Sequence, residues 1–295
     1  MTTVTPTTLP AARSHRPVPT RRISFEASLQ NLPKHFAGEG DLIMSHLVAS
    51  MSSVFPDGED FFVRSVRHYR DQITDPELKE QVRGFIGQEA MHGREHRALN
   101  DRLDQLGYPA KRIERFTRWG LRTRERFLPP ASNLASTAAL EHYTATLAEV
   151  LLSDPEARRE VGSPEVLELL LWHALEECEH KAVAFDVYRA VGGTERMRVV
   201  TMNVTTIGFI GGMTIQAVLS VLADRDTYRR GNLLRSLRRI PRSPFLRRWV
   251  WRRLRDYNRP DFHPDDHDTD ALLEQWRTDL FGADGRLNDK LTGAA

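Results

Sequence analysis

Apolar residues recur at intervals of three and four along most of this chain, and alternating runs bounded by turn residues are nearly absent. Such spacing predicts helices and argues against strands. Residues 41–53 are apolar at helical spacing and stop before Phe55-Pro56-Asp57-Gly58. A second helix is predicted from about Asp57 to Ile73, with Phe62, Val63 and Val66 on one face. Thr74-Asp75-Pro76-Glu77 combines a capping side chain, a proline at the first helical position and an acid, a strong start signal. That helix is expected to run to Leu106 and stop at Gly107, and another spans roughly 110–128 before Pro129-Pro130. Ser132 or Asn133 caps the next, which reaches about Ser153; Ser163-Pro164-Glu165 then opens a helix that ends near Val191-Gly192-Gly193. With short connections, neighbouring helices should be antiparallel. The expected fold is all-α, a helical bundle with additional C-terminal helices.

One segment departs from this amphipathic pattern. Val199–Ala223 runs for 25 residues without a charge, long enough to span a bilayer. It also contains Asn203, Gln216, five Thr or Ser, and Gly208, Gly211 and Gly212. Burial against the bundle, with the glycines allowing close approach, or contact with a membrane surface is preferred here over a true span. The following stretch, Arg225 to Arg255, holds 12 Arg against one acid, Asp226, with Phe245, Leu246, Trp249 and Trp251 interleaved. It fits peripheral contact with an anionic membrane through residues 199–255, phosphate binding, or a solvated face neutralised by the acids from Asp261 to Asp270.

Charge over the whole chain is nearly balanced, at +2 over 295 residues, so nucleic acid is not the favoured partner. Cys178 is the only cysteine, which excludes an intramolecular disulfide and a thiolate metal cluster; a cytoplasmic location fits, with membrane association as the variant. Residues 1–25 contain no acid and carry Arg13, Arg16, Arg21 and Arg22 among Pro and Thr. They read as a disordered basic tail or a transit peptide, the tail being preferred, and not as a secretory signal, because no apolar core follows the charges. The chain divides on this reading into the tail, a helical domain over 26–223, and a basic helical extension over 224–295 packed on it.

The chemistry lies in a duplicated pattern. Glu89-Ala90-Met91-His92 and Glu177-Cys178-Glu179-His180 are both Glu-x-x-His, and Glu59 and Glu141 each precede one of them by about a helix and a turn. Residues i and i+3 share a helix face, so each carboxylate and imidazole can bind one ion. A lone Glu-x-x-His is weak evidence; the order and spacing of four carrier helices is stronger. Two single Glu plus two Glu-x-x-His is the ligand set of two-metal carboxylate sites in ferritin-like bundles. Hard carboxylates with imidazoles suit iron, with manganese as the variant. Phe85, Ile86, Trp172 and Leu175 flank the motifs, and a buried carboxylate is costly unless paired or metal-bound. His173, on the face of Glu177 and His180, is a seventh candidate ligand. His96, four residues after His92, is read as a donor that holds a ligand in place, with direct ligation and plain packing as alternatives. His142 neighbours Glu141 but points elsewhere, and reads as a surface or packing residue.

The order Glu59, Glu89-x-x-His92, Glu141, Glu177-x-x-His180 resembles the ferritin-like di-iron superfamily. Phe55-Pro-Asp-Gly-Glu59, Trp172-His173 and Glu176-Glu177-x-Glu179-His180-Lys181 resemble, over roughly residues 40–260, the bacterial family described as predicted metal-dependent hydrolases. His173 beside the second Glu-x-x-His is similar to the extra histidine of the arylamine N-oxygenases. The resemblance implies two iron ions bound by Glu59, Glu89, His92, Glu141, His173, Glu177 and His180, with Glu89 and Glu177 bridging. The expected function is a dioxygen-activating oxidoreductase acting on a small, hydrophobic molecule with an unidentified electron donor. The alternatives are a metal-dependent hydrolase, an iron-handling binding protein, and a membrane-binding module.

Overall fold

The computed structural model describes residues 16–293. Its regular structure is helical, and the described residues contain one isolated bridge, Ile23 with Leu291, in place of a sheet. The helices are α1 (Leu42–Arg67), α2 (Pro76–Gln105), α3 (Ala110–Phe127), α4 (Pro130–Ser153), α5 (Pro155–Val161), α6 (Pro164–His180), α7 (Val183–Ala190), α8 (Glu195–Ala223), α9 (Asn232–Arg239), α10 (Arg248–Asp256) and α11 (Asp270–Phe281). α1 lies along α2 and α4 along α6, and the pairs meet through α1 with α4 and α2 with α6. These four helices enclose the centre described below.

Several boundaries differ from expectation, each for a local reason. The helix predicted to stop before Pro56 continues through it, so the two predicted helices are one. Proline lacks the N–H that would bond the carbonyl four residues back, which here is Ser52. Asn100 Nδ2 on α2 donates to that carbonyl instead, at 3.1 Å. α4 opens on Pro130 and not on a Ser132 or Asn133 cap, consistent with proline's fitness for the first helical position. The helix expected to reach Val191 bends at Lys181–Ala182 and resumes as α7. The sequence holds no breaker there; Lys181 is buried and its ammonium donates to the carbonyl of His267 and the hydroxyl of Thr269.

The basic tail also needs correcting. Residues 1–15 lie outside the described residues, but 16–25 pack on the bundle. Arg16 pairs with Asp265 and Asp270, and Ile23 and Phe25 are fully buried. Gly84 and Gly87, one turn apart on α2, make room for this segment: a Cβ on either would lie about 2 Å from Val18 O or Thr20 Oγ1. Composition suggested disorder because the arginines look unpaired along the chain, whereas their acids lie about 160 to 250 residues away.

The C-terminal helices share the bundle's core. Val250, Leu254, Tyr257, Leu273 and Trp276 belong to one apolar cluster with residues of α1, α2, α4 and α6. Trp276 donates through Nε1 to Leu152 O at 3.0 Å. His142 is a packing residue: it is buried, bonds Arg253 O through Nε2 at 2.9 Å, and sits against Tyr257 and Phe262. Of the two preferred readings of 199–223, burial against the bundle does not hold for α8. Among the described residues it is the one helix long and apolar enough to cross a membrane, and only 22% of its most apolar stretch is buried. Its glycines at 208, 211 and 212 face open space instead of permitting close packing.

Candidate metal centre

Glu59 comes from α1, Glu89 and His92 from α2, Glu141 from α4, and His173, Glu177 and His180 from α6; all seven are buried. Their ligand atoms fall into overlapping groups. Glu59, Glu89 and His92 form one, joined by His92, His173 and Glu177; Glu89, Glu141 and His180 form the other. Glu89 belongs to both sides. Glu177 also faces both: its Oε1 lies 2.8 Å from His173 Nε2 and 3.7 Å from His92 Nδ1, and its Oε2 lies 3.7 Å from His180 Nε2.

Within this cluster nine buried side-chain atoms have no hydrogen-bond partner: both carboxylate oxygens of Glu59, Glu89 and Glu141, Oε2 of Glu177, Nδ1 of His92 and Nε2 of His180. Buried polar atoms are rarely left this way, because each loses its hydration without compensation. His180 Nε2 stands 3.2 Å from an oxygen of both Glu89 and Glu141 without bonding geometry to either.

Electrostatics tell the same story. Burial, followed by the repulsion of Glu89 and Glu177, holds the Glu59 carboxyl well above the usual carboxylate range. Burial and Glu141 push Glu89 up to about 8; burial and Glu177 push Glu141 up to about 7. Glu177 goes the other way: burial opposes its charge, but the imidazoles of His173 and His180 outweigh burial and lower it. Four carboxylates at one buried point are unfavourable alone. Two divalent ions would balance their four charges with the imidazoles neutral, so the residues present fit a two-metal centre.

The outer residues determine which ring nitrogens face inward. Asn100 Nδ2 donates to Ser52 O and Glu114 Oε1, both acceptors, which fixes the amide orientation. Ser52 Oγ then donates to Asn100 Oδ1 and accepts from His96 Nδ1 at 2.9 Å. Nε2 of His96 is left to accept from His173 Nδ1 at 2.7 Å, so Nε2 is the ring nitrogen that His173 turns to the centre, 2.8 Å from Glu177 Oε1. His96 is thus hydrogen-bonded to His173, and with Glu59 and His173 it also forms a buried group of ligand-type atoms. His180 donates through Nδ1 to Gln88 Oε1 at 2.8 Å, leaving Nε2 inward. His92 bonds Glu176 through Nε2 at 3.0 Å, leaving Nδ1 inward. Glu176 and Glu179 are in turn held by Arg21, and Glu179 also by Arg277. Such outer partners orient metal ligands. Ser52→Ala and Gln88→Ala should therefore each weaken metal affinity by about tenfold to a hundredfold, read by competition with a chelator; unchanged affinity would remove the residue from this role.

Sequence reasoning overlooked these supporting residues. A signal existed for one, since Glu89, His92, His96 and Asn100 follow one face of α2 at helical spacing. None existed for Arg21 or Gln88, whose partners lie in distant segments.

A second cluster, His35, His46 and Asp224, also brings ligand-type atoms together, and the contrast is informative. Asp224 there accepts from Lys34 at 2.6 Å and lies 3.0 Å from His35 Nε2 and 3.1 Å from His46 Nε2, while His46 Nδ1 meets Ser220 Oγ at 2.7 Å. These groups satisfy one another and already include a cation, so the cluster is a clasp between the start of α1 and the end of α8.

Neither a curated protein nor a solved structure matches the chain. A family model described as predicted metal-dependent hydrolase matches residues 19–268. The match starts inside the segment that supplies Arg21 and crosses all four helices that carry the buried His and Glu cluster. With its His and Glu clusters at one buried point, this chain belongs to the predicted metal-dependent hydrolase family.

Proposed function

We propose that the protein is a hydrolase of a small substrate whose centre holds two metal ions. The observation that carries this reading is the convergence of nine unpartnered ligand atoms on one buried point. Glu59, His92 and His173 would hold one ion and Glu141 and His180 the other, with Glu89 and Glu177 shared. Bound there, a metal pair supplies a water of lowered pKa, a nucleophile near neutral pH. The family's description favours hydrolysis. The residues' own part is to fix the ions through oriented imidazoles and to keep bulk water away, since every ligand residue is at most 3% exposed.

That closure also favours a second reading, a dioxygen-activating oxidoreductase holding iron or manganese. A sealed, carboxylate-rich centre suits a small gas and shields reactive species from water. Metal analysis and an absorption spectrum of protein purified without added metal test both. Two ions per chain are expected. A colourless zinc or magnesium protein supports hydrolysis, and an absorbing diferric protein supports oxidation. Protein that retains no metal and binds none on titration refutes the centre. If the centre holds iron, His173→Ala should keep the fold and shift the spectrum; an unshifted spectrum at full loading would show that His173 only packs.

A further inference from the structure

α8 presents a largely apolar outer face. Three of its hydroxyls turn toward the bundle: Thr206 Oγ1 accepts from Tyr143 at 2.8 Å, Ser220 meets His46, and Thr205 lies 3.3 Å from Ser136 Oγ. Met202, Met213 and Val221 pack inward, and other large apolar side chains turn away. Val200, Val204, Ile207, Ile215, Val218 and Leu222 follow one stripe at helical spacing and are each about half exposed or more, Ile207 reaching 75%. A helix bordering water carries its polar groups outward, so the outer face of α8 is built for an apolar surrounding.

The next segments supply the complementary feature. Of the 12 arginines from 225 to 255, Arg229, Arg239, Arg247 and Arg253 are ion-paired, and the others make no ion pair among the described residues. Tyr228 and Trp251 are exposed beside them, the amphipathic rings that favour a headgroup boundary. A second copy of this chain would match the apolar stripe, but an apolar contact alone leaves the eight arginines that make no ion pair unanswered. Anionic headgroups complement them.

We infer that the outer face of α8 and the basic segment after it dock on an anionic lipid bilayer, with α8 lying in the interface and not crossing it. The hydroxyl contacts from Thr205 to Ser220 tie α8 along α1 and α4, so a crossing would strip partners from Tyr143 and His46. An in-plane amphipathic helix with a cationic border is a known mode of membrane attachment. The consequence for the protein is a working position at the membrane surface.

Flotation with vesicles of phosphatidylcholine, with and without phosphatidylglycerol, tests this. Binding should be about tenfold or more tighter to the anionic vesicles at low salt and should weaken as salt is raised. Ile207→Glu with Val218→Glu should reduce binding about a hundredfold. Circular dichroism and melting should be unchanged, because both side chains face outward. No flotation with anionic vesicles at low salt would overturn the inference. So would a double variant that floats like the parent. A parent dimer by light scattering that the double variant dissolves, without flotation of either, would assign the face to a second copy instead.

Discussion

Glu177→Ala should fold and melt cooperatively yet hold at most one metal ion, and activity on any substrate of this protein should fall by about a thousandfold or more. Glu177 is the residue whose two oxygens face the two halves of the centre, Oε1 toward His92 and His173 and Oε2 toward His180. No other carboxylate reaches His173 as closely: Glu59 Oε1 stands 3.8 Å away. The loss should therefore show in metal stoichiometry before it shows in stability. Glu59→Gln makes the complementary case. It keeps the shape of a carboxyl group held well above its usual range by burial and by Glu89 and Glu177, and removes its charge. In metal-free protein it should raise the melting temperature while lowering metal affinity, the trade expected where function demands a destabilised site. Mass spectrometry of the intact protein and elemental analysis decide the first case. Two ions at parental affinity in Glu177→Ala would exclude Glu177 from the centre.

The metal-free protein should lose stability as pH rises from about 7 to about 8.5, and metal should abolish the loss. Glu89 and Glu141 have native pKa values of about 8 and about 7, above the ordinary value of 4.5. The native state then retains protons that the unfolded chain has released, so raising the pH favours unfolding until the native groups ionise. His180 acts in the same direction: burial opposes its charge, but Glu141 and Glu177 raise it well above 6.5. His92 and His96 act oppositely. Burial, then His173, lowers them well below 6.5, so they cost stability under acid and cease to matter above that value. Glu177, lowered, contributes a constant amount in the window. The balance above neutrality therefore lies with the raised groups. Ions replace the protons, so the loaded protein should melt at a nearly constant temperature across this range. Free metal at a thousandfold its dissociation constant would add about 4 kcal/mol, or roughly 10 °C for a chain of this size. Calorimetry with and without a chelator measures both effects. A metal-free melting temperature that rises across the window would show that the carboxylates are not protonated in the native state.

Much of this was legible in the primary structure, and the limits are physical. Helices carry their own start and stop chemistry, so Asp75-Pro76-Glu77 and Gly107 bounded α2 without help from the rest of the chain. Glu-x-x-His is likewise local, because three residues on a helix define a face wherever the helix goes; the repeat of that motif behind Glu59 and Glu141 placed the ligand candidates on four helices before any packing was known. Other features were set by contacts between residues far apart. Pro56 reads as a stop until Asn100 supplies the donor that proline lacks. Arg21 reads as tail until Glu176 and Glu179 meet it. The inward nitrogen of His173 depends on hydrogen bonds running from Asn100 through Ser52 and His96. Composition identified the apolar run of α8 but not its orientation, since periodicity shows that a helix has two faces and not which one meets the bundle. That choice was made by Tyr143, His46 and Ser136, whose polar groups inside the fold required partners and drew three hydroxyls of α8 inward.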